Sequence, residues 1–168
     1  MYKKELIRFF GLSLLLYIGW YLTYELWIGP DGRVDSWLNE VVAYSSYRLL
    51  NIFGYDSCIT NTSVCVRNVS TVTVGNGCNG LEIYAIFTGF IIVMHGRWKY
   101  KLLFIVVGLL SIFVLNVFRV TMLAIDRYND LNIFRFNHKY TYVFVIYSFI
   151  FMLWIIWIKK YADKKAVA

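Results

Sequence analysis

A single proline, Pro30, serves the whole 168-residue chain, and charged residues make up only 16% of it. With so few breakers, most of the chain is free to run as uninterrupted helix. With 60% hydrophobic and 20% aromatic residues, it carries more apolar surface than a soluble domain of this size buries or exposes. No Cys-x-x-Cys pair is present, which removes the usual dithiol redox motif. There is also no glycine-rich phosphate loop, no metal-ligand cluster and no flavin or nicotinamide motif. Chemistry without a cofactor or metal is therefore expected.

Four long apolar segments remain. A span needs roughly 20 residues at about 1.5 Å each. The candidates run approximately over 9–28, 78–94, 102–123 and 140–158. The second is short and holds Glu82, Thr88 and Gly89; a buried globular helix is the alternative for it. The first follows Met1-Tyr2-Lys3-Lys4, is too long for the apolar core of a secretory signal, and lacks a small-x-small cleavage site before Gly29-Pro30. It reads as a retained signal anchor.

The net charge of +7 is unevenly placed. With both termini inside, the inner segments hold ten basic residues (Lys3, Lys4, Arg8, Arg97, Lys99, Lys101, Lys159, Lys160, Lys164, Lys165) against Glu5 and Asp163. The remaining seven basic and eight acidic residues nearly cancel. This is the positive-inside pattern of a cell (inner) membrane protein. The basic excess then faces cytoplasm and anionic membrane lipid, and nucleic acid is not expected as a partner.

The fold class expected is an all-α polytopic membrane protein, one domain over 1–168 with four transmembrane helices. The outer loop, 29–77, is long. Gly29-Pro30-Asp31-Gly32 predicts a stop and a turn. Asp35 or Ser36 can then cap a helix whose Trp37, Leu38, Val41, Val42 and Leu49 share a face, suited to the outer membrane surface or to the bundle. The Thr- and Val-rich run from Cys58 to Val74 predicts a small β-hairpin. An inner loop (95–101) and an outer loop (126–139) complete the topology. Cys58 and Cys65 lie in an oxidising compartment with six residues between them, which suits a disulfide across a hairpin; two free thiols are the alternative. Sequons at Asn61 and Asn68 are short enough to occur by chance.

Cys78 is left over. It lies in Gly75-Asn76-Gly77-Cys78-Asn79-Gly80-Leu81-Glu82, where glycines allow close approach and helix N–H groups favour a thiolate. Alone, a cysteine at a helix end is usually a packing residue. Arg119 stands within an apolar run, where an ionisable side chain is costly; an arginine reaching to the interface is the alternative. His138 opens the last segment, while His95 falls on the inner side. Counted up from Met94, Leu102 and Ile158, the three stand about 24, 26 and 30 Å high. A nucleophile, a cation and an acid/base at one outer level suit acyl transfer. Asn116, one turn before Arg119, can orient it or donate a hydrogen bond. Glu82 can anchor Arg119, or simply favour the helix dipole.

The motifs "NGCNGLEIYAIF", "NVFRVTML" and "FNHKYTYVF", in this order on successive segments, resemble the exosortase/archaeosortase family of membrane cysteine transpeptidases. The resemblance covers 75–155. It implies a triad of Cys78, Arg119 and His138, and exported substrates with a C-terminal sorting signal of short motif, membrane helix and basic tail. Cleavage would release the protein, or pass it to a new acceptor. The chain departs from the pattern in having four spans where about eight are usual, in Asn79 and Glu82, and in lacking a glycine after His138. A membrane thiol–disulfide oxidoreductase and a non-enzymatic assembly subunit are the rival readings.

Overall fold

In the computed structural model, residues 2–67 and 70–161 are described. Lys164, Lys165 and Asp163 of the inner charge set, and the sequon residue Asn68, lie outside them. Among the described residues, seven helices and three strands follow one another as α1 (Tyr2–Thr23), α2 (Gly29–Asp31), α3 (Arg33–Ile52), β1 (Ser57–Thr60), β2 (Ser63–Val66), β3 (Ser70–Thr73), α4 (Leu81–Val93), α5 (Trp98–Asn129), α6 (Leu131–Phe136) and α7 (Tyr142–Lys160). π-helical turns, Tyr24–Ile28 and Asn137–Thr141, join α1 to α2 and α6 to α7.

Among the described residues, two continuous helices are long and apolar enough to cross a membrane, Trp98–Asn129 and Leu131–Lys160. Most of their apolar surface faces outward, as in Leu103, Leu110, Phe144 and Phe151. Helix α4 is apolar, but its 13 residues reach only about 20 Å, short of a hydrocarbon core of about 30 Å. The expected second span begins at Cys78, whereas the helix begins three residues later, after Gly80.

Three sequence expectations are corrected. The stop in Gly29-Pro30-Asp31-Gly32 comes at its last residue and not its first: the helix runs through the π turn, where the Gly29 N–H donates to the Tyr24 carbonyl, past Pro30 to Asp31, and breaks at Gly32, whose φ is +65°. The outer loop at 126–139 is helical almost throughout. Only Asp130 is extended, and its carboxylate accepts the Asn132 N–H to cap α6 (2.6 Å). The hairpin is a three-stranded antiparallel sheet in the order β1-β2-β3, since 70–73 folds back onto β2. Cys58 and Cys65 are direct cross-strand partners and form a disulfide.

Helix α3 packs against the bundle. Its buried face is Leu38, Val42, Ala43, Ser46 and Leu50, rotated from the expected one, and Trp37 is exposed. That face joins Val64, Val66, Val72 and Val74 of the sheet and Val120 and Ala124 of α5 in one core. Deeper in the bundle, Phe87 and Ile91 of α4 meet Ile112 of α5 and Ile146, Ile150 and Trp157 of α7. The two cores share α5, which therefore carries the sheet and the apolar helices α4 and α7 on one rod. Gly108 lets α4 approach that rod: a Cβ there would overlap the Phe87 ring. At the inner loop, Lys101 turns back to donate to the Ile92 carbonyl (2.8 Å), filling an orphan acceptor at the end of α4.

Candidate active site

The glycine-rich turn before α4 is held at several points. Its first bend is closed by the Cys78 N–H donating to the Gly75 carbonyl (2.7 Å). Gly80 then takes φ +88°, a left-handed conformation that side chains rarely adopt. A Cβ there would meet Tyr84 and the Asn116 amide only at ordinary contact distance, so it is the backbone conformation that calls for glycine. By contrast, nothing lies within 4 Å of a Cβ built at Gly75 or Gly77. The turn is tight on its α4 side and open on the other.

Between Cys78 and Gly80, Asn79 is fully buried. Its Oδ1 accepts the Leu81 N–H (2.9 Å), satisfying one of the orphan donors at the start of α4. Its Nδ2 donates to Asp35 Oδ1 (2.6 Å), and Tyr24 Oη donates to the other carboxylate oxygen (3.1 Å). Asp35 is itself buried, and these two bonds offset its desolvation. A second tie runs from Asn39 Nδ2 to Asn76 Oδ1 (3.0 Å). Helix α3 thus grips the turn on both sides of Cys78. Sequence reasoning missed Asp35, Tyr24 and Asn39 in this role. It took Asp35 for a helix cap, because its partner lies 44 residues away.

The thiol of Cys78 is half-exposed and is the free cysteine of the chain. Helix α5 contributes Asn116, whose Nδ2 donates to the Cys78 carbonyl (2.9 Å), and, one turn on, Arg119. Arg119 is buried, with its Nη2 4.0 Å from Cys78 Sγ and its Nε without a partner. His138 approaches from the π turn above α7 and places Nε2 3.7 Å from the same sulfur. The imidazole is exposed and stacks on Phe134, at 5.8 Å between ring centroids. The turn that carries it is tied to α5: Asn137 Nδ2 and Tyr142 Oη both donate to Asp126 Oδ2 (2.8 and 3.1 Å), and Thr141 Oγ1 donates to Asn137 Oδ1 (2.8 Å).

Cys78, Arg119 and His138, from three different elements, therefore meet around one sulfur. Glu82 does not join them. It is exposed, and among the described residues it makes no ion pair with Arg119. Chemically, the arrangement offers a nucleophile at a helix mouth, a fixed positive charge and a base within one side chain's swing. A small cavity of about 110 Å³ opens beside the sulfur, between β3 and the α6–α7 connection, and Arg127 also faces it. Among the described residues no group of three or more His, Cys, Asp and Glu side chains could hold a metal ion.

A family model described as transmembrane exosortase matches residues 4–157, nearly the whole chain. No match was found among curated proteins or among solved structures.

Proposed function

The chain belongs to the transmembrane exosortase family, and from that premise we propose that it cleaves the C-terminal sorting signals of exported proteins through a thioester at Cys78. The observation that carries this reading is the single free thiol with Arg119 Nη2 at 4.0 Å and His138 Nε2 at 3.7 Å. His138 takes the thiol proton, and the thiolate adds to the scissile carbonyl carbon. The tetrahedral oxyanion is stabilised by Arg119, whose unpaired Nε leaves a second donor free. Collapse breaks the C–N bond; His138 returns its proton to the leaving amine, and Cys78 keeps the acyl group as a thioester. Attack by water or an acceptor amine or hydroxyl, deprotonated by His138, releases the product and restores the thiol.

In this proposal the chain is one membrane domain with four spans, both termini cytoplasmic and the site on the outer face. The short α4 then leaves its glycine turn within the outer part of the hydrocarbon layer, about 10 Å below the outer interface. Helices α4 and α7, headed by Cys78 and His138, border an apolar groove of about 370 Å³ between Ile83, Phe144 and Trp154. A substrate's own membrane helix lying there would present the bond just above it to the thiol. The cross-strand Cys58–Cys65 disulfide gives the oxidoreductase reading no support, since it staples two strands of a small sheet.

The test is co-expression with a tail-bearing exported protein from the same genome, followed by its processing. Wild type cleaves; Cys78→Ala, Arg119→Ala and His138→Ala leave the precursor intact. Full processing by Cys78→Ala would sink the proposal.

A further inference from the structure

Among the described residues, β3 is the last strand in the order β1-β2-β3, so one of its edges pairs with no other strand. Which backbone groups lie on that edge follows from register. The Val74 N–H donates to the Thr62 carbonyl (2.9 Å), and Thr73 faces Ser63, Val72 faces Val64, and Thr71 faces Cys65. Bonding groups alternate along an antiparallel strand. Since Val74 points its backbone groups into β2, so does Val72, while Thr71 and Thr73 turn their N–H and C=O outward. Val72 and Val74 send their side chains into the core beside Val120 and Ala124.

This edge faces the thiol. Val72, Thr73 and Val74 line the cavity that also holds Cys78, with Phe134 and His138 among its other walls and α5 contributing Arg127. Sheets usually blunt an open edge with proline, charge, a bulge or a covering element. From Ser70 to Val74 the sequence is Ser-Thr-Val-Thr-Val, which contains no proline and no charge. The register shows no bulge, and among the described residues no strand pairs with the outer side.

We propose that β3 is a docking template for the substrate: the extended segment of the sorting signal adds to its free edge as a fourth strand. Outward groups of Thr71 and Thr73 bond to the substrate backbone, and the chain continues across the cavity to deliver the scissile carbonyl to Cys78. The inference rests on the peptidase reading for its substrate. Affinity in such strand addition comes from main-chain bonds, and alternate side chains point to the same wall. The small cavity then admits side chains from one face of the added strand and leaves those of the other in solvent.

The experiment uses the full-length protein in detergent. Its probe is a synthetic peptide with the tail of an exported protein from the same genome, its motif residues replaced one at a time by the corresponding α-hydroxy acid. Each replacement turns an amide N–H into an ester oxygen. Cleavage by wild type and binding to Cys78→Ala are both measured. The expected result is a two-residue alternation: KM and Kd rise about three- to tenfold at every second position and stay level between. Thr73→Pro removes one outward donor without touching a ladder bond, and raises KM by a similar factor. A thermal midpoint close to that of the wild type reports that it has folded. Should this variant not fold, the ester scan on the unchanged enzyme decides alone. A flat scan with normal cleavage overturns the strand and leaves the peptidase reading standing. Alternating affinity without any cleavage by wild type overturns the peptidase reading and keeps the strand. A peptide that neither binds nor is cleaved overturns both.

Discussion

Around the sulfur of Cys78, the proposed mechanism divides the work between a guanidinium, which supplies charge, and an imidazole, which moves the proton. Arg119 is buried in a helix that otherwise presents mostly apolar residues, so its charge is held in place at a desolvation cost. Nothing in its surroundings neutralises it: among the described residues no carboxylate comes within ion-pair distance, and Nε has no acceptor. A lysine would keep the charge but lose the planar fork that can offer two donors to one oxyanion. Arg119→Lys is therefore expected to lower single-turnover cleavage about 10²- to 10³-fold, the usual loss for an oxyanion donor, with little change in KM. Undiminished cleavage by this variant would mean that charge alone suffices. His138 differs in kind. It is exposed and held by stacking on Phe134, so Phe134→Ala should loosen the imidazole and, since His138 takes the thiol proton, lower turnover and the rate of Cys78 alkylation together.

Among the elements, α3 and the turn that opens α4 are joined through a buried pair, Asp35 and Asn79. Asn79→Asp sets two carboxylates face to face in a buried site. Leaving a buried charge uncompensated costs about 3–5 kcal/mol, enough to displace the turn or unfold the core that α3 shares with the sheet. Adding Asp35→Asn to that variant swaps the amide and the carboxylate between the two positions and keeps every bond. The amide, now on α3, donates across to the carboxylate and accepts from Tyr24. The carboxylate, now on the turn, still accepts the Leu81 N–H. Thermal midpoint and cleavage should both fall in the single variant and recover in the double. No recovery would show that the pair does not act through this hydrogen bond. A second coupling joins α4 to α5, where Phe87 lies over Gly108. Gly108→Ala overpacks it and should destabilise by about 1–3 kcal/mol, partly relieved by Phe87→Leu. Differences in melting temperature measure both.

These couplings mark where sequence reasoning stopped. Periodicity and hydropathy placed the helix over 102–123, because apolar runs of that length have few other uses. They ended it early, before Asp126, because polar residues read as a loop. In the structure Asp126 stays helical and accepts from Asn137 and Tyr142, contacts that only the returning α7 supplies. Residue counting set Cys78, Arg119 and His138 at one height, since rise per residue is fixed. It could not show which faces of three helices meet, nor that α3 would come down to hold the glycine turn. The sheet's third strand was hidden for a related reason. Its four residues have no partner until β2 is placed.

For the whole molecule, orientation and thiol chemistry make one joint prediction. Cys58 and Cys65 are bonded, so Cys78 is the single thiol available to a reagent. The proposed topology puts it on the outer face, above an inner side rich in lysine and arginine. A membrane-impermeant maleimide added to intact cells should therefore label the wild-type chain once and Cys78→Ser not at all. A cysteine placed at Lys99, in the Cys78→Ser background, should react only after the membrane is opened, because Lys99 lies at the other end of α5. Labelling of that inner position in intact cells would reverse the orientation. Labelling at more than one site in the wild type would instead break the disulfide assignment. Either result would bear on function directly, since a substrate exported across the membrane can meet Cys78 only if the thiol and the open edge of β3 share its side.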